Sequence, residues 1–395
     1  MAKTVIRKLF LSGTLVGATD FGSAPLGVPR SMLRPGDTIP AYGTPSRFEA
    51  NVVRRPHGLP SPALTPLERQ PGIITASGLT FVRTHAGVPR IDPARHRLLV
   101  HGRVRKPLFF SLDDLLRFPA TTRIAFLECA GNSAPGWRAL GSGVQFSHGL
   151  LSCAEWTGVP LRTLLDEAGA SDPRWVVAEG ADGAAYERSI PLPADDAEAL
   201  VVYGQNGEML RPEQGYPLRL LLPGAEGSAN VKWLHRIKVV DGPLFAREET
   251  VRYGRTNADG SARLFDFTMG VKSVVTEPSP GRRFPARGFA ELRGFAWSGA
   301  GRIASVDVTL DGGATWHAAT LGQPVLSKAL VRFTLPVTWT GSERIVASRA
   351  TDDRGGVQPT MAALRETNGG DLRYHVNAIH AWRVRGDGSV ESLDA

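Results

Sequence analysis

Cysteine is nearly absent: Cys129 and Cys153 are the only two in 395 residues. That excludes a disulfide scaffold, although a single bridge between the pair stays open. Blocks of like charge are missing as well. The 46 basic and 38 acidic residues leave a net charge of +8, yet no run of five Lys or Arg occurs. Arg is scattered singly among Pro and Gly, which argues against nucleic-acid binding and fits a basic pocket for anionic ligands. No apolar stretch reaches the roughly 18–20 residues that a membrane span needs. There is no internal repeat, no low-complexity block and no haem-attaching Cys-x-x-Cys-His. His148, His235 and His380 share no metal-ligand spacing, which assigns them structural roles.

What is present is turn chemistry. The 44 Gly and 29 Pro favour short strands and ordered loops over long helices. At the N-terminus, Lys3, Arg7 and Lys8 precede the short apolar run Leu9–Ala18. This has the outline of an export leader over 1–25, without a twin-arginine pair, and predicts a periplasmic protein. Pro29, Pro35, Pro40, Pro45, Pro56, Pro60, Pro62 and Pro66 break any period over 26–75, predicting an extended arm on a surface.

A compact mixed region follows over 76–265. Its strand candidates are Arg97–Gly102, Arg123–Cys129, Trp175–Glu179, Ala199–Tyr203, Pro217–Leu222 and Trp233–Val240. Ser111 caps a helix to Arg117, and Gly169 closes another that starts at Pro160. After Glu277-Pro-Ser-Pro280 the pattern changes to alternating strands and tight turns. Arg302–Leu310, the Asp311-Gly-Gly turn, Ala329–Leu335 and Arg344–Ala350 predict a β-sandwich over 271–395. The fold class is α+β: a mixed domain followed by a sandwich, with catalysis confined to the first.

Five segments hold the candidate chemistry. Phe126-Leu-Glu-Cys-Ala-Gly-Asn132 puts Cys129 at the end of a buried strand, where small residues let the chain approach a bound group closely. A soft thiolate there suits a transition metal or nucleophilic chemistry. Phe81-Val-Arg-Thr-His85 offers Arg83 as a fork for an oxyanion and His85 as a donor. Asp182 lies in the loop Glu179-Gly-Ala-Asp-Gly183. Arg211–Arg219 and Asn230-Val-Lys-Trp-Leu234 supply Gln214, Arg219 and Lys232, and Tyr253 follows the last strand of the region. Cys153 sits in apolar surroundings and reads as an inert core thiol.

The Cys-Ala-Gly-Asn signature and the Val-Lys-Trp-Leu segment resemble the sulfite oxidase family, over about residues 76–390. The resemblance implies a molybdenum–molybdopterin cofactor with Cys129 as the one protein ligand to the metal. It implies that Phe81, Val82, Arg83 and His85 line the cofactor, with Thr84 where the family has Asn, and that Arg83 binds substrate. Asp182 would accept from the pterin amino groups. Arg219 and Lys232, beside Asn230 and Val231, would neutralise the terminal phosphate. Gln214 stands where animal sulfite oxidases have His, and Tyr253 would assist proton movement at the metal. The C-terminal part looks like the family's immunoglobulin-like dimerisation domain, implying a homodimer.

Within the family, Ala41–Phe48, Glu128–Ser133, Cys153–Pro160 and Tyr203–Gly207 look closest to the sulfane dehydrogenase subgroup. That subgroup implies a sulfane sulfur on a carrier-protein cysteine as substrate. It also implies no haem in this chain and a separate c-type cytochrome subunit as electron acceptor. The rival readings are a free sulfite dehydrogenase, a Cys-nucleophile hydrolase using Cys129 with a His base, and a non-catalytic adhesion module built on the sandwich.

Overall fold

The computed structural model describes residues 39–58, 61–138, 140–192, 198–284 and 287–393. The expected leader, and the arm as far as residue 38, lie outside the described residues. Of the described residues, 39–51 belong to a separate small unit, with a 3-10 turn at Arg47–Glu49 capped by Ser46. The rest of the chain, from Val52, is a second unit.

Its first half carries β1 (Leu98–Gly102), β2 (Leu108–Phe110), β3 (Thr121–Glu128), β4 (Leu151–Pro160) and β5 (Trp175–Gly180). They are followed by β6 (Glu187–Pro191), β7 (Leu200–Gln205), β8 (Glu208–Met209), β9 (Arg219–Leu221) and β10 (Leu234–Val240). One sheet has the order β2-β1-β10-β5-β6, with β1 and β10 parallel and the other pairs antiparallel. The other has the order β3-β4-β7-β8, and β9 pairs with β7. β7 is buried along its whole length, as a continuous Leu-Val-Val-Tyr run should be. Local signals place the short helices. Ser111 and Asp114 form a reciprocal capping box on Leu112–Leu115, and Gly169 takes a positive φ of 71° just past Leu161–Glu167.

A small hairpin, β11 (Arg255–Thr256) and β12 (Ala262–Arg263), leads into the second half. There lie β13 (Lys272–Glu277), β14 (Gly288–Trp297), β15 (Ile303–Thr309), β16 (His317–Ala318) and β17 (Thr320–Leu321). β18 (Val331–Trp339), β19 (Arg344–Asp352), β20 (Ala381–Val384) and β21 (Val390–Ser392) complete it. The sheets β13-β14-β18-β17 and β16-β15-β19-β20-β21 enclose Val274, Phe295, Trp297, Val306, Phe333 and Trp382. The same core takes in Phe126, Val144, Leu151 and Cys153 from the first half, so the two halves share one apolar interior. Truncating a side chain such as Phe126 to Ala would cost about 3–5 kcal/mol.

Three features differ from the sequence reading. The segment from residue 52 does not simply lie on a surface: Leu64 and Leu67 are buried, and Leu64 O accepts from Gln145 Nε2 at 2.7 Å. β4 carries Cys153 within a ten-residue strand whose Ser152, Glu155 and Gly158 mask its period. The second half is not all sheet. Met361–Thr367 is a helix opened by Thr360, which accepts from Ala363 N, and it packs Met361 and Leu364 against Ala134 and Val376.

Candidate active site

β3 ends at Glu128, and the next peptide is pinned on both sides. Cys129 N donates to Leu150 O at 3.0 Å, and Asn132 N donates to Cys129 O at 2.8 Å. The sulfur lines a cleft of about 660 Å³, counted out to its open mouth. Segments far apart in sequence close around it: Phe81, Arg83 and His85; Asp182 after β5; Gln214 and Arg219; Asn230, Val231 and Lys232; and Tyr253. Two glycines allow this convergence. A Cβ at Gly227 would meet Glu128 O at 3.1 Å, and one at Gly215, whose φ is 113°, would meet the side chains of Arg219 and Lys232 at 3.2 Å.

Eleven of the twelve residues singled out above thus line one cleft; Val82 does not. It is buried, and its backbone exchanges hydrogen bonds with Ala63 in an isolated bridge, so its side chain faces the core instead. Asn230 lines the wall, but its amide serves the backbone: Oδ1 accepts from Leu222 N at 2.7 Å, and Nδ2 donates to Glu226 O at 2.9 Å. Cys129 and Cys153 are both free thiols.

The floor of the cleft is cationic and poorly compensated. Arg219 is 4% exposed; its Nη1 donates to Gln214 O at 3.2 Å, and its buried Nε has no partner among the described residues. Its guanidinium sits 5.4 Å from the Trp156 ring. Lys232, half-buried, donates to the carbonyls of Arg83 and Glu213, both at 3.1 Å. Burial pushes Arg219 down from its ordinary value, and burial together with Arg219 pushes Lys232 down to about 7. Gln214 is also buried, and its Nε2 donates to Phe81 O at 3.0 Å. Burial raises the Cys129 thiol to about 11, so a bound cation is what would hold it as thiolate.

Tyr253 follows a π-helical turn at Glu248–Arg252, a wide turn that recurs at functional sites. Its hydroxyl lies 3.2 Å from His85 Nε2, while Arg252 Nη1 lies 2.7 Å from His85 Nδ1. A guanidinium has donors only, so Nδ1 accepts and Nε2 carries the ring proton toward Tyr253. Burial, then Arg83 and Arg252, push His85 down to about 4 and keep it neutral. Burial also raises Tyr253 well above its ordinary value, keeping the phenol protonated.

The sequence reading missed a buried network behind this wall. Arg188 contacts Glu226 at 3.0 Å and Glu249 at 3.1 Å, and its guanidinium lies 4.7 Å from the Tyr253 ring centroid. Glu226 Oε2 lies 2.8 Å from His375 Nε2. Burial would raise Glu226, but His375, Arg188 and Ser228 outweigh it and hold the carboxyl below its usual range. His375 and Tyr374, whose ring is 5.4 Å from that of Tyr253, belong to the second half. The site surroundings are therefore not confined to the first domain. A second network does the same beneath Cys129: Glu128, fully buried, meets Lys272 Nζ at 2.6 Å. Breaking one partner of such a pair costs about 3–5 kcal/mol. The three histidines read above as structural have ordinary partners: His235 with Glu179, His148 with Ser147 and His380 with Ser392.

An uncompensated buried guanidinium, a lysine with donors to spare and a lone thiol at one cleft fit a polyanionic cofactor bearing a soft metal. The comparisons agree with that class. Residues 85–246 match the oxidoreductase molybdopterin binding domain, and residues 264–381 match the Mo-co oxidoreductase dimerisation domain. Human mitochondrial sulfite oxidase is 32% identical over 366 residues, covering 84% of this chain and 67% of that protein. Tomato NADH nitrate reductase is 31% identical over 330 residues, 73% of this chain and 36% of that protein. The crystal structure of the sulfane dehydrogenase SoxCD from Paracoccus pantotrophus superposes with a TM-score of 0.88 at 42% identity, covering 92% and 96% of the two chains. The chain belongs to the sulfite oxidase family of molybdopterin oxidoreductases.

Proposed function

We propose that this chain is the molybdenum-bearing subunit of a sulfane dehydrogenase. It oxidises a sulfane sulfur held on a carrier-protein cysteine and passes the electrons to a c-type cytochrome subunit. The observation that carries the reading is the 42% identity to a sulfane dehydrogenase over 92% of the chain. The absence of a Cys-x-x-Cys-His motif in the sequence supports a separate electron acceptor. The apolar run after Lys3, Arg7 and Lys8 supports a periplasmic setting.

The residues take the following parts. Cys129 supplies the thiolate to the metal. Arg219 and Lys232 hold the terminal phosphate, and Gln214 positions Arg219 while bonding the Phe81 carbonyl. Asp182, whose Oδ1 also accepts from Tyr186 N at 3.3 Å, receives the pterin amino groups. Arg83 draws the anionic substrate group to the mouth and stabilises charge there. Tyr253, fixed by His85, donates a hydrogen bond at the reacting end and moves a proton. When bound, the molybdenum cofactor supplies the oxygen-atom transfer and takes up two electrons.

A free sulfite dehydrogenase is the second reading, favoured by the 32% identity to human sulfite oxidase. Assays on sulfite and on a carrier-bound persulfide, with a c-type cytochrome as acceptor, separate the two. Faster turnover of the carrier-bound sulfur is expected; faster turnover of free sulfite would replace the first reading with the second. Loss of molybdenum from an active preparation without loss of activity would sink both.

A further inference from the structure

Glu128 is the last residue of β3 and Cys129 the first beyond it, and the two side chains serve different sides of the chain. Cys129 lines the cleft. Glu128 turns into the junction with the sandwich and is fully buried. Three donors hold its carboxylate there. Lys272 Nζ lies 2.6 Å and Asn132 Nδ2 2.9 Å from Oε1, and Trp297 Nε1 lies 2.7 Å from Oε2. Lys272 and Trp297 face each other in the β13–β14 register, so both second-domain donors come from one rung of the sandwich.

The coupling continues to the thiol. Asn132, held by Glu128, accepts from Leu150 N through Oδ1 at 3.1 Å, and Leu150 O accepts from Cys129 N. The Glu128 carbonyl is pinned by Gly227 N at 2.6 Å. The N–H and C=O of Cys129 are therefore both tied, through Leu150 and Asn132, to a chain that ends on Lys272 and Trp297, while Gly227 holds the Glu128 carbonyl separately. A buried ion pair is a poor device for stability, because an apolar replacement avoids desolvating two charges. What it adds is direction.

We propose that Glu128 is a positioning residue for Cys129, and that the Lys272–Trp297 rung makes the direction of the metal-binding sulfur depend on the second domain. The proposal rests on the reading of Cys129 as the metal ligand.

The test uses the full-length, molybdenum-loaded protein and reads three quantities: melting temperature, turnover per bound molybdenum and the sulfur-to-molybdenum charge-transfer absorption. Lys272→Met and Trp297→Phe each remove one second-domain donor. Glu128→Gln/Lys272→Met removes both charges, so neither is left buried alone, and it serves where Lys272→Met does not fold. The double variant is expected to melt within a few degrees of the parent, while its absorption band stays displaced and its turnover per metal stays about tenfold to a hundredfold lower. Melting, band and turnover that all recover together in the double variant would reduce the pair to a stability element and overturn the proposal. A band that moves in none of the three variants would overturn it as well. Cys129→Ser separates this failure from failure of the ligand reading: a band unchanged by Cys129→Ser shows that the sulfur is not a ligand.

Discussion

Arg219 and Lys232 stand opposite each other across an antiparallel bridge, and no carboxylate forms an ion pair with either among the described residues. Two cations so close repel, and Arg219 adds to burial in depressing the charged form of Lys232. An anion placed between them would relieve that repulsion, which is the part the proposed cofactor phosphate plays.

The pH dependence of anion binding follows. Sulfate is a dianion throughout the neutral range, so it reports on the protein alone. With Lys232 near 7, the cofactor-free cleft loses a proton above that value, and a bound dianion must draw it back, whereas the Arg219 guanidinium keeps its charge across this range. Sulfate affinity of the cofactor-free protein should be flat well below pH 7 and should fall by up to about tenfold per pH unit above it. Calorimetric titration across pH 6–10 measures it. Lys232→Met should bind more weakly and stay flat across that range; an unaltered pH profile in that variant would show that Lys232 does not meet the anion.

Cofactor retention is the second expectation. Arg219→Ala and Lys232→Ala each remove a charge-assisted contact to phosphate, worth about 1.5–3 kcal/mol. Molybdenum and pterin content per chain should fall, with turnover per remaining metal little changed. Normal occupancy with lost turnover per metal would move these residues from the cofactor to the substrate.

The sequence exposed what is local or carried by short signatures. Ser111 and Asp114 are a capping box within four residues, Gly169 ends a helix in place, and Cys129 and Lys232 sit in tight motifs. The Arg188–Glu226–Glu249–His375 network was not legible. Its members lie 38, 61 and 149 positions apart in pairs and meet only after β6, the turn at Glu226, the π turn and the second half have packed. Singly, each reads as a solvated charge. Val82 shows the opposite error: a contiguous motif suggested a contiguous lining, and a bridge to Ala63 turned one residue of it inward.

Cys129→Ser should abolish turnover while the melting temperature and pterin content stay near those of the parent. The thiol is partly exposed to the cleft, and oxygen is smaller than sulfur, so the exchange adds no clash, whereas a hard hydroxyl is a poor ligand for a soft site. Metal analysis alongside activity decides it. Substantial turnover in a molybdenum-loaded Cys129→Ser protein would remove the assigned role.

Tyr253→Phe removes the hydroxyl that His85 holds, and the ring can keep its place beneath Arg188. Turnover should drop by about tenfold or more with little change in stability. Arg252→Met frees His85 Nδ1, lets the ring proton move to either nitrogen and should lower turnover in the same direction by less. Steady-state kinetics on both variants is the check, and equal turnover in Tyr253→Phe and parent would place the proton path elsewhere.

Assembly gives the last expectation. Residues 264–381 match a dimerisation domain, and a two-fold dimer would bury the same patch on both subunits. A stable homodimer buries at least about 1,200 Å² in total. Light scattering at micromolar concentration should therefore give twice the chain mass of 42.4 kDa. The net charge of +8 then doubles in the dimer, and an acidic cytochrome would be drawn in over distances near the Debye length. Raising the salt from 0.05 to about 0.5 M shortens that length several-fold and should slow association with the cytochrome more than its release. A fully active monomer would end the dimer assignment, and an association rate indifferent to salt would end the electrostatic one independently.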